Sequence, residues 1–397
     1  MSEYPSDWEV THLGAYLKET KERVHEGTAT PYSVSKVLGI VPQSEKFKKR
    51  VASNDISNYK IIREGDFAYD PMLLWDGSIN RMLREDTGAV SPAYVTFRVL
   101  DNSLDADYLL HFLKADTAKN FYKSISKGTN VRRQKAEFRD FASGEFVIPP
   151  LPEQKKIAEI LSGIDNSIKS LRLKKEKVKF AKSATSLHIF KSLKDSEQTA
   201  TQVSDLQSLA SIPISYGVLV PDNATREGGV PMIKIQDINQ GKIQTEKLSY
   251  ISRTLHDRYA KTEVKTGDLL ISLIGSIGIT ARVPDVLEGA NVSRQFAVIR
   301  TSSPAISDYL HCFLRGGVAQ EKISFLSQGN AQKALNLDSL RGLEVPLKSN
   351  AEMDRIVRIC QALDLIIESI SRRIDKAEKI RLSVASDLLS GRKRVSI

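Results

Sequence analysis

Several groupings of residues in this chain look able to do chemistry, and most fall short of a working site. Gly275-Ser276-Ile277-Gly278 has the glycines of a phosphate-cradling turn but lacks the lysine and the spacing of a GxxxxGK[ST] loop. Asp70-Pro71-Met72-Leu73 begins like the Asp/Asn-Pro-Pro-aromatic motif of amino-methyltransferases. The second proline and the aromatic are missing, and no cofactor-binding glycine motif follows a strand upstream. The six histidines are scattered, and His311-Cys312 has no second pair at metal-ligand spacing, so a buried neutral histidine is the simpler reading. A nuclease set of the Asp…Glu-x-Lys type is too loose a pattern to single out by eye. What remains is cationic. Lys46, Lys48, Lys49 and Arg50 form one cluster and Arg132, Arg133 and Lys135 another, suited to phosphate contacts, although solvated surface is the simpler account of either one alone.

The charge balance says where such contacts would have to be made. The formal net charge is +10, yet residues 1–148 hold 21 Lys+Arg against 21 Asp+Glu, and residues 196–347 hold 15 against 15. The whole excess lies in 149–195, with 11 against 5, and in 348–397, with 11 against 7. Large neutral segments can bind nucleic acid only through local clusters. With 41% hydrophobic and 27% charged residues, the composition is that of a globular chain and excludes disordered, collagen-like and mucin-like classes. Two cysteines, Cys312 and Cys360, are too few for a disulfide framework or a four-ligand zinc site, which makes a reducing cytoplasm the expected compartment. The first thirty residues carry no apolar signal-peptide core, and the longest apolar run, 269–279, is too short to span a bilayer, so no membrane association is expected.

Self-comparison sets the architecture. Gly65-Asp66, Val90-Ser91 and Arg98 recur as Gly267-Asp268, Val292-Ser293 and Arg300, all at an offset of 202. Asp107-Tyr108-Leu109 with Phe112-Leu113 returns as Asp308-Tyr309-Leu310 with Phe313-Leu314 at 201, and Gly128 returns as Gly329. Ile157, Ile160, Asp165 and Ile168 return as Ile356, Ile359, Asp364 and Ile367 at 199. The chain therefore reads as a tandem duplication of two mixed α/β domains, 1–148 and 196–347, each followed by a charged helical segment, 149–195 and 348–397. Within the copies, 230–243 reads as a strand, a turn at Asn239-Gln240-Gly241 and the start of another strand. The segment 269–283 reads as strands broken at Gly275 and Gly278, and 296–299, with its counterpart 93–100, as further strands. Residues 107–125 have helical periodicity with Asp105 as N-cap, and Ser307 is the expected cap of the equivalent helix.

The two charged segments must be long helices. Pro149-Pro150-Leu151-Pro152 precedes the first, which is expected over 153–191, and Pro152 and Glu153 suit a helix start. Ile157, Ile164, Leu171 and Val178 recur at sevens, as do Ile356, Leu363, Ile370, Ala377 and Val384, with Ile359, Ile366 and Ile380 expected in the second row. This is a coiled-coil seam, and antiparallel pairing would bury both rows.

At this point the residues resemble a family. Two mixed domains each followed by a long helix, Trp8 and Leu13 at the start, GDFAYDPM at 65–72, GSIG at 275–278, QGNAQKALNLDSLRGLEVPL before the second helix and above all the junction IPPLPEQKKIAEILSGID at 148–165 resemble the specificity subunit of type I restriction-modification systems. The second junction departs from this pattern, reading VPLKSNAEMDRI without the PPLPEQ block. The resemblance covers essentially the whole chain. It implies two target-recognition domains that each read one half of a split, asymmetric DNA site, separated by two long antiparallel coiled-coil helices that set the gap and dock two methyltransferase subunits. It also implies restriction/translocase subunits as further partners, no chemistry and no cofactor or metal in this chain, and S-adenosylmethionine, ATP and magnesium on the partners. Base edges are read by Arg, Lys, Asn or Gln on loops that reach a groove. The candidates are Lys48, Lys49, Arg81, Asn130, Arg132 and Arg133 in the first copy and Arg294, Gln295, Gln328, Asn330, Gln332 and Lys333 in the second. A duplicated scaffold spacing two protein-binding modules would explain the repeat but not the PPLPEQ junction, and a fused nuclease would show metal-dependent cleavage.

Overall fold

The computed structural model describes residues 4–24, 29–36, 38–47, 49, 51–53, 55–100, 102–126, 135–195, 202–239, 241–327 and 334–396. The chain divides into two units, one of residues 1–171 with 373–397 and the other of residues 172–372, so each unit combines one repeat with parts of both long helices.

In unit one, Glu9–His12 pairs antiparallel with Glu145–Ile148, which brings the start of the domain beside its end. A four-stranded antiparallel sheet runs in the order Leu17–Thr20, Val95–Val99, Phe67–Tyr69, Ile79–Arg81. Its apolar face packs on the helices Ala106–Leu113, Asp116–Ile125 and Phe138–Ala142 through Phe67, Tyr69, Phe97, Tyr108, Phe112 and Phe141. A second four-stranded sheet, in the order Gly39–Pro42, Thr30–Ser35, Gly88–Val90, Lys60–Ile62, contains one parallel pair and closes a smaller core around Tyr32, Ile62 and Met82.

Unit two repeats this plan. Gln202–Asp205 pairs with Glu344–Leu347, and a sheet in the order Ser215–Tyr216, Phe296–Ile299, Leu269–Ser272, Thr280–Arg282 packs on Pro304–Leu314 and Gly317–Leu326. A second sheet, Ser249–Ile251, Val230–Ile233, Asn291–Val292, again contains one parallel pair.

The shared residues of the repeat have a common physical cause. Gly65 and Gly267 turn at φ +84° and +85°, a conformation that disfavours a side chain. The turn folds Asp66 and Asp268 under it, where each accepts the backbone N–H three residues upstream, from Arg63 at 3.0 Å and Lys265 at 2.8 Å. Arg98 and Arg300, on the neighbouring strand, neutralise these buried carboxylates at 3.1 and 2.7 Å.

Two local expectations are corrected. Residues 107–125 are two helices, not one, with a break at Lys114 and Ala115 that lets Tyr122 donate its hydroxyl to the Leu113 carbonyl at 2.9 Å. Ser307 lies inside its helix, which starts three residues earlier with Pro304 at the first position. The Ser307 hydroxyl instead donates to the Gly267 carbonyl at 3.0 Å. Asp105 does cap, accepting from the backbone of Asp107 and Tyr108.

The long helices are Leu151–Asp195, with 45 residues, and Asn350–Leu389, with 40. Ile157, Ile356 and Ile370 are buried, and Ile164, Leu171, Val178, Leu363, Ala377 and Val384 are half-buried. The second row runs one residue later than expected on the second helix, through Cys360, Ile367 and Ile374, which leaves Ile366 45% and Ile380 46% exposed.

Candidate nucleic-acid interface

Each domain presents a hairpin tip, 70–78 in unit one and 273–279 in unit two. In unit one the tip is held by the Asp70 carboxylate, which accepts from Met72 N–H at 2.9 Å, and by Gly77 at φ +87°. In unit two Gly275 and Gly278 turn the chain at φ +79° and +82°. The Ser272 hydroxyl accepts from Ile279 N–H at 2.8 Å across that turn. GSIG is therefore a turn closed on its own backbone. Beside each tip lies a further segment: Ala136 N–H donates to the Pro71 carbonyl at 3.0 Å and Leu335 N–H to the Leu273 carbonyl at 2.9 Å. Leu273 N–H in turn donates to the Gln295 carbonyl at 2.7 Å, so in unit two the hairpin tip, Gln295 and the start of 334–343 form one contiguous surface.

Eight candidates, Lys48, Asn130, Arg132, Arg133, Gln328, Asn330, Gln332 and Lys333, lie outside the described residues. The other four divide by what holds them. Arg81 pairs with Asp107 at 2.7 Å, and Arg282 pairs with Asp308 at the same place in the second copy, a duplicated tie between the hairpin and the helix behind it. Gln295 spends its Oε1 within the protein, accepting from the Ser293 hydroxyl at 3.3 Å and from Ile235 N–H at 3.5 Å. Arg294, next to it, is exposed, and its guanidinium makes no ion pair or hydrogen bond with a described residue. Lys49 is also exposed. Near it in sequence, Lys46 donates to the Ser33 hydroxyl at 3.1 Å and Arg84 pairs with Glu45 at 2.9 Å, so those two cations are already engaged. Lys135 is exposed where the chain returns to the first tip.

Sequence reasoning missed the contacts that fix each domain to the helices. In unit one, Glu153 is fully buried and accepts from Trp8 Nε1 at 3.1 Å and from Arg394 at 2.7 Å, and Arg394 also pairs with Asp7 at 2.7 Å. Gln154 accepts from Asp105 N–H at 2.8 Å and donates to the Pro149 carbonyl at 2.9 Å. The Glu and Gln of PPLPEQ are thus both consumed in holding strand, helix and C-terminal segment together. Their counterparts at offset 199 act otherwise: Glu352 accepts from the Ser349 hydroxyl at 2.7 Å as a local cap, and Met353 packs in the core.

Further along, Arg381 of the second helix pairs with Asp165 of the first at 3.0 Å. Arg381 also donates to His111 Nδ1 at 3.4 Å, while Nε2 faces the Ser162 hydroxyl at 3.0 Å. Burial pushes the His111 imidazole down to about 4 and the Lys114 amine down to about 8. Unit two carries the mirrored set, with Lys182 of the first helix pairing with Asp364 of the second and Arg315 reaching the same carboxylate at 2.9 Å. Donor and acceptor exchange helices between the units at the repeat offset of 199. Within unit one the partners fall from Arg394 to Arg381 as the first helix rises from Glu153 to Asp165, so the two segments run antiparallel there. Among the described residues no group of three His, Cys, Asp or Glu could hold a metal, and no helix is long and apolar enough to cross a membrane.

Comparison with known proteins follows this geometry. The family described as Type I restriction modification DNA specificity domain matches residues 46–180 and 187–379. The MjaVIII specificity subunit of Methanocaldococcus jannaschii, a type I restriction enzyme component, is 27% identical over 416 residues, covering 98% of this chain and 94% of that one. The EcoBI specificity subunit of Escherichia coli is 29% identical over 258 residues, covering 58% and 53%. A type I restriction-modification S subunit from M. genitalium superposes with a TM-score of 0.59 at 14% identity over 98% of this chain and 96% of that one. A chain from a structure of type I R-M complex assembly and conformational transition gives 0.57 at 15% over 97% and 98%.

Proposed function

Because the chain belongs to the Type I restriction modification DNA specificity domain family, we propose that its role of supplying DNA sequence specificity is divided between its two repeats, each reading one half of a bipartite, asymmetric site. The duplicated hairpin tips carry this reading. Each repeat presents the same surface on the same scaffold, and the exposed side chains on the two surfaces differ, Lys135 beside one tip and Arg294 beside the other. Two recognition surfaces of unlike sequence need no palindrome.

The finer assignments follow from the chemistry at those surfaces. On this reading Arg294, exposed and without an ion-pair partner among the described residues, donates to a guanine edge, and Lys49 and Lys135 contact phosphates. Arg81 and Gln295 are positioning residues on this reading, since Arg81 Nη1 is engaged by Asp107 and Gln295 Oε1 by Ser293 and Ile235. The chain performs no methyl transfer or cleavage by itself. Two methyltransferase subunits dock on the helices and bring S-adenosylmethionine, restriction/translocase subunits bring ATP and magnesium chemistry, and the complex works in the cytoplasm. The helices hold the two readers at a fixed spacing and so set the unread gap.

The test is to co-express the chain with its methyltransferase subunit and map methylated adenines, then to exchange residues 1–148 for the equivalent domain of a relative. One half of the recognised sequence should change and the other should stay. A change in both halves would mean that the repeats read DNA jointly.

A further inference from the structure

The outer face of the first long helix within unit two is unused by anything described so far. With Ile168, Lys175 and Lys182 in one seam row and Ile164, Leu171 and Val178 in the other, Leu173, Phe180 and Leu187 all fall at the heptad position farthest from the seam. They are 57%, 77% and 37% exposed. Such positions contribute nothing to the pairing of two helices and are ordinarily polar. Three large apolar side chains at strict sevens make a stripe about 21 Å long, the pattern by which a helix packs on another helix. Ser183 and Ala184, small and exposed beside Phe180, leave room for a close approach.

The charge around the stripe selects the occupant. Outside the seam rows, Arg172, Lys174, Lys177 and Lys179 stand in the sixteen residues 172–187 against a single acid, Glu176, which pairs with Lys179. A second copy of this chain would set like charges against each other. A DNA backbone would satisfy the lysines but offers nothing to cover a phenylalanine and two leucines. The geometry points to a docking site for one amphipathic helix, apolar along its centre and acidic along its flanks, contributed by a partner protein. At the repeat offset of 199 the matching positions on the second long helix are Arg372, Lys379 and Ser386, so the stripe is not repeated at the equivalent positions. Its occupant binds in a single copy even where other partners bind in pairs. This inference rests on the docking role proposed for the helices and supplies the chemistry of one docked element.

The probe is a synthetic four-heptad peptide with leucine at a and d and glutamate at e and g, titrated into the full chain and followed by fluorescence anisotropy. One peptide per chain should bind. The triple variant Leu173→Ser/Phe180→Ser/Leu187→Ser should weaken binding about tenfold or more while melting temperature and DNA binding stay as in the parent chain. A second variant, Lys174→Glu/Lys177→Glu, should weaken it as well, and the same peptide with lysine at e and g should not bind. The inference falls if the triple variant binds the peptide as the parent does, or if two peptides bind each chain with equal affinity. It falls also if the triple variant loses affinity for duplex DNA, which would make the face a nucleic-acid contact. Loss of sequence-specific DNA binding by the parent chain would instead overturn the functional proposal, a result separable from the peptide titration.

Discussion

Replacing His111 by glutamine should uncouple unit one from acid. In the folded chain His111 Nδ1 accepts from Arg381, which requires a neutral ring, and burial holds its pKa down to about 4 against the usual 6.5. Asp165 and Asp107 favour the proton while Arg381 and Lys114 oppose it, and burial outweighs them all. Because the folded value is the lower one, the unfolded chain takes up the proton first as pH falls. This stability is therefore complete above about pH 6.5 and is lost progressively toward pH 4. At pH 4.5 the loss amounts to about 2.5 kcal/mol by linkage, or roughly 1 M in a urea midpoint. Trp8 and Trp75, the only tryptophans of the chain, both lie in unit one, so tryptophan emission reports that unit. Urea unfolding at pH 7.5 and pH 4.5 should show His111→Gln somewhat less stable than the parent at the higher pH, where a hydrogen bond is lost. The spread between the two pH values should shrink by about 2 kcal/mol. An unchanged spread would refute the argument that this buried ring carries the acid sensitivity of the helix contact.

Other outcomes can be checked with the same protein. Arg294→Ala should lower DNA affinity about tenfold and relax one base position of one half-site in a methylome, whereas Arg81→Ala should lower the melting temperature and leave the recognised sequence alone. Inserting one heptad into each long helix at the boundary between the units keeps the seam in phase and adds about 10 Å. Methylation mapping should then find the same half-sites with the gap longer by about three base pairs. The purified chain alone should transfer no radiolabelled methyl group to DNA, and adding the methyltransferase subunit should restore transfer.

What the sequence disclosed and what it hid follow from the range of the interactions. The Gly-Asp turns, the N-cap at Asp105 and the strands around 269–283 and 296–299 are local, fixed by φ at a glycine or by a side chain a few residues away, and are legible from spacing alone. The seam rows at sevens were legible too, but Ile366 and Ile380 were misassigned because an apolar residue one place off the row looks the same in sequence as one on it. Pro304 overrode Ser307 as a helix start because a proline fixes φ whatever follows. The tie of Glu153 to Trp8 and Arg394 spans 145 and 241 residues, and no periodicity encodes it. The pairing of Arg81 with Asp107 spans 26 residues and is not visible in the spacing of charges along the chain. Arg294 is distinguished from its neighbour Gln295 only by what each side chain touches.

The pairing of Arg394 with Asp7 gives the polypeptide a property usually reserved for rings. The described segments that carry Asp7 and Arg394 lie side by side, so a short bridge of several residues could join them. The second copy follows the first helix as the first copy would follow the second, were that bridge made. The order of the pieces then depends on where the loop was opened and is no requirement of the architecture. A gene that starts with the second copy and joins residue 396 to residue 4 through such a bridge should yield the same scaffold. In such a gene the contacts of Arg394 with Asp7 and Glu153 would stay as they are, since each is set by its own segment and not by the order of the pieces.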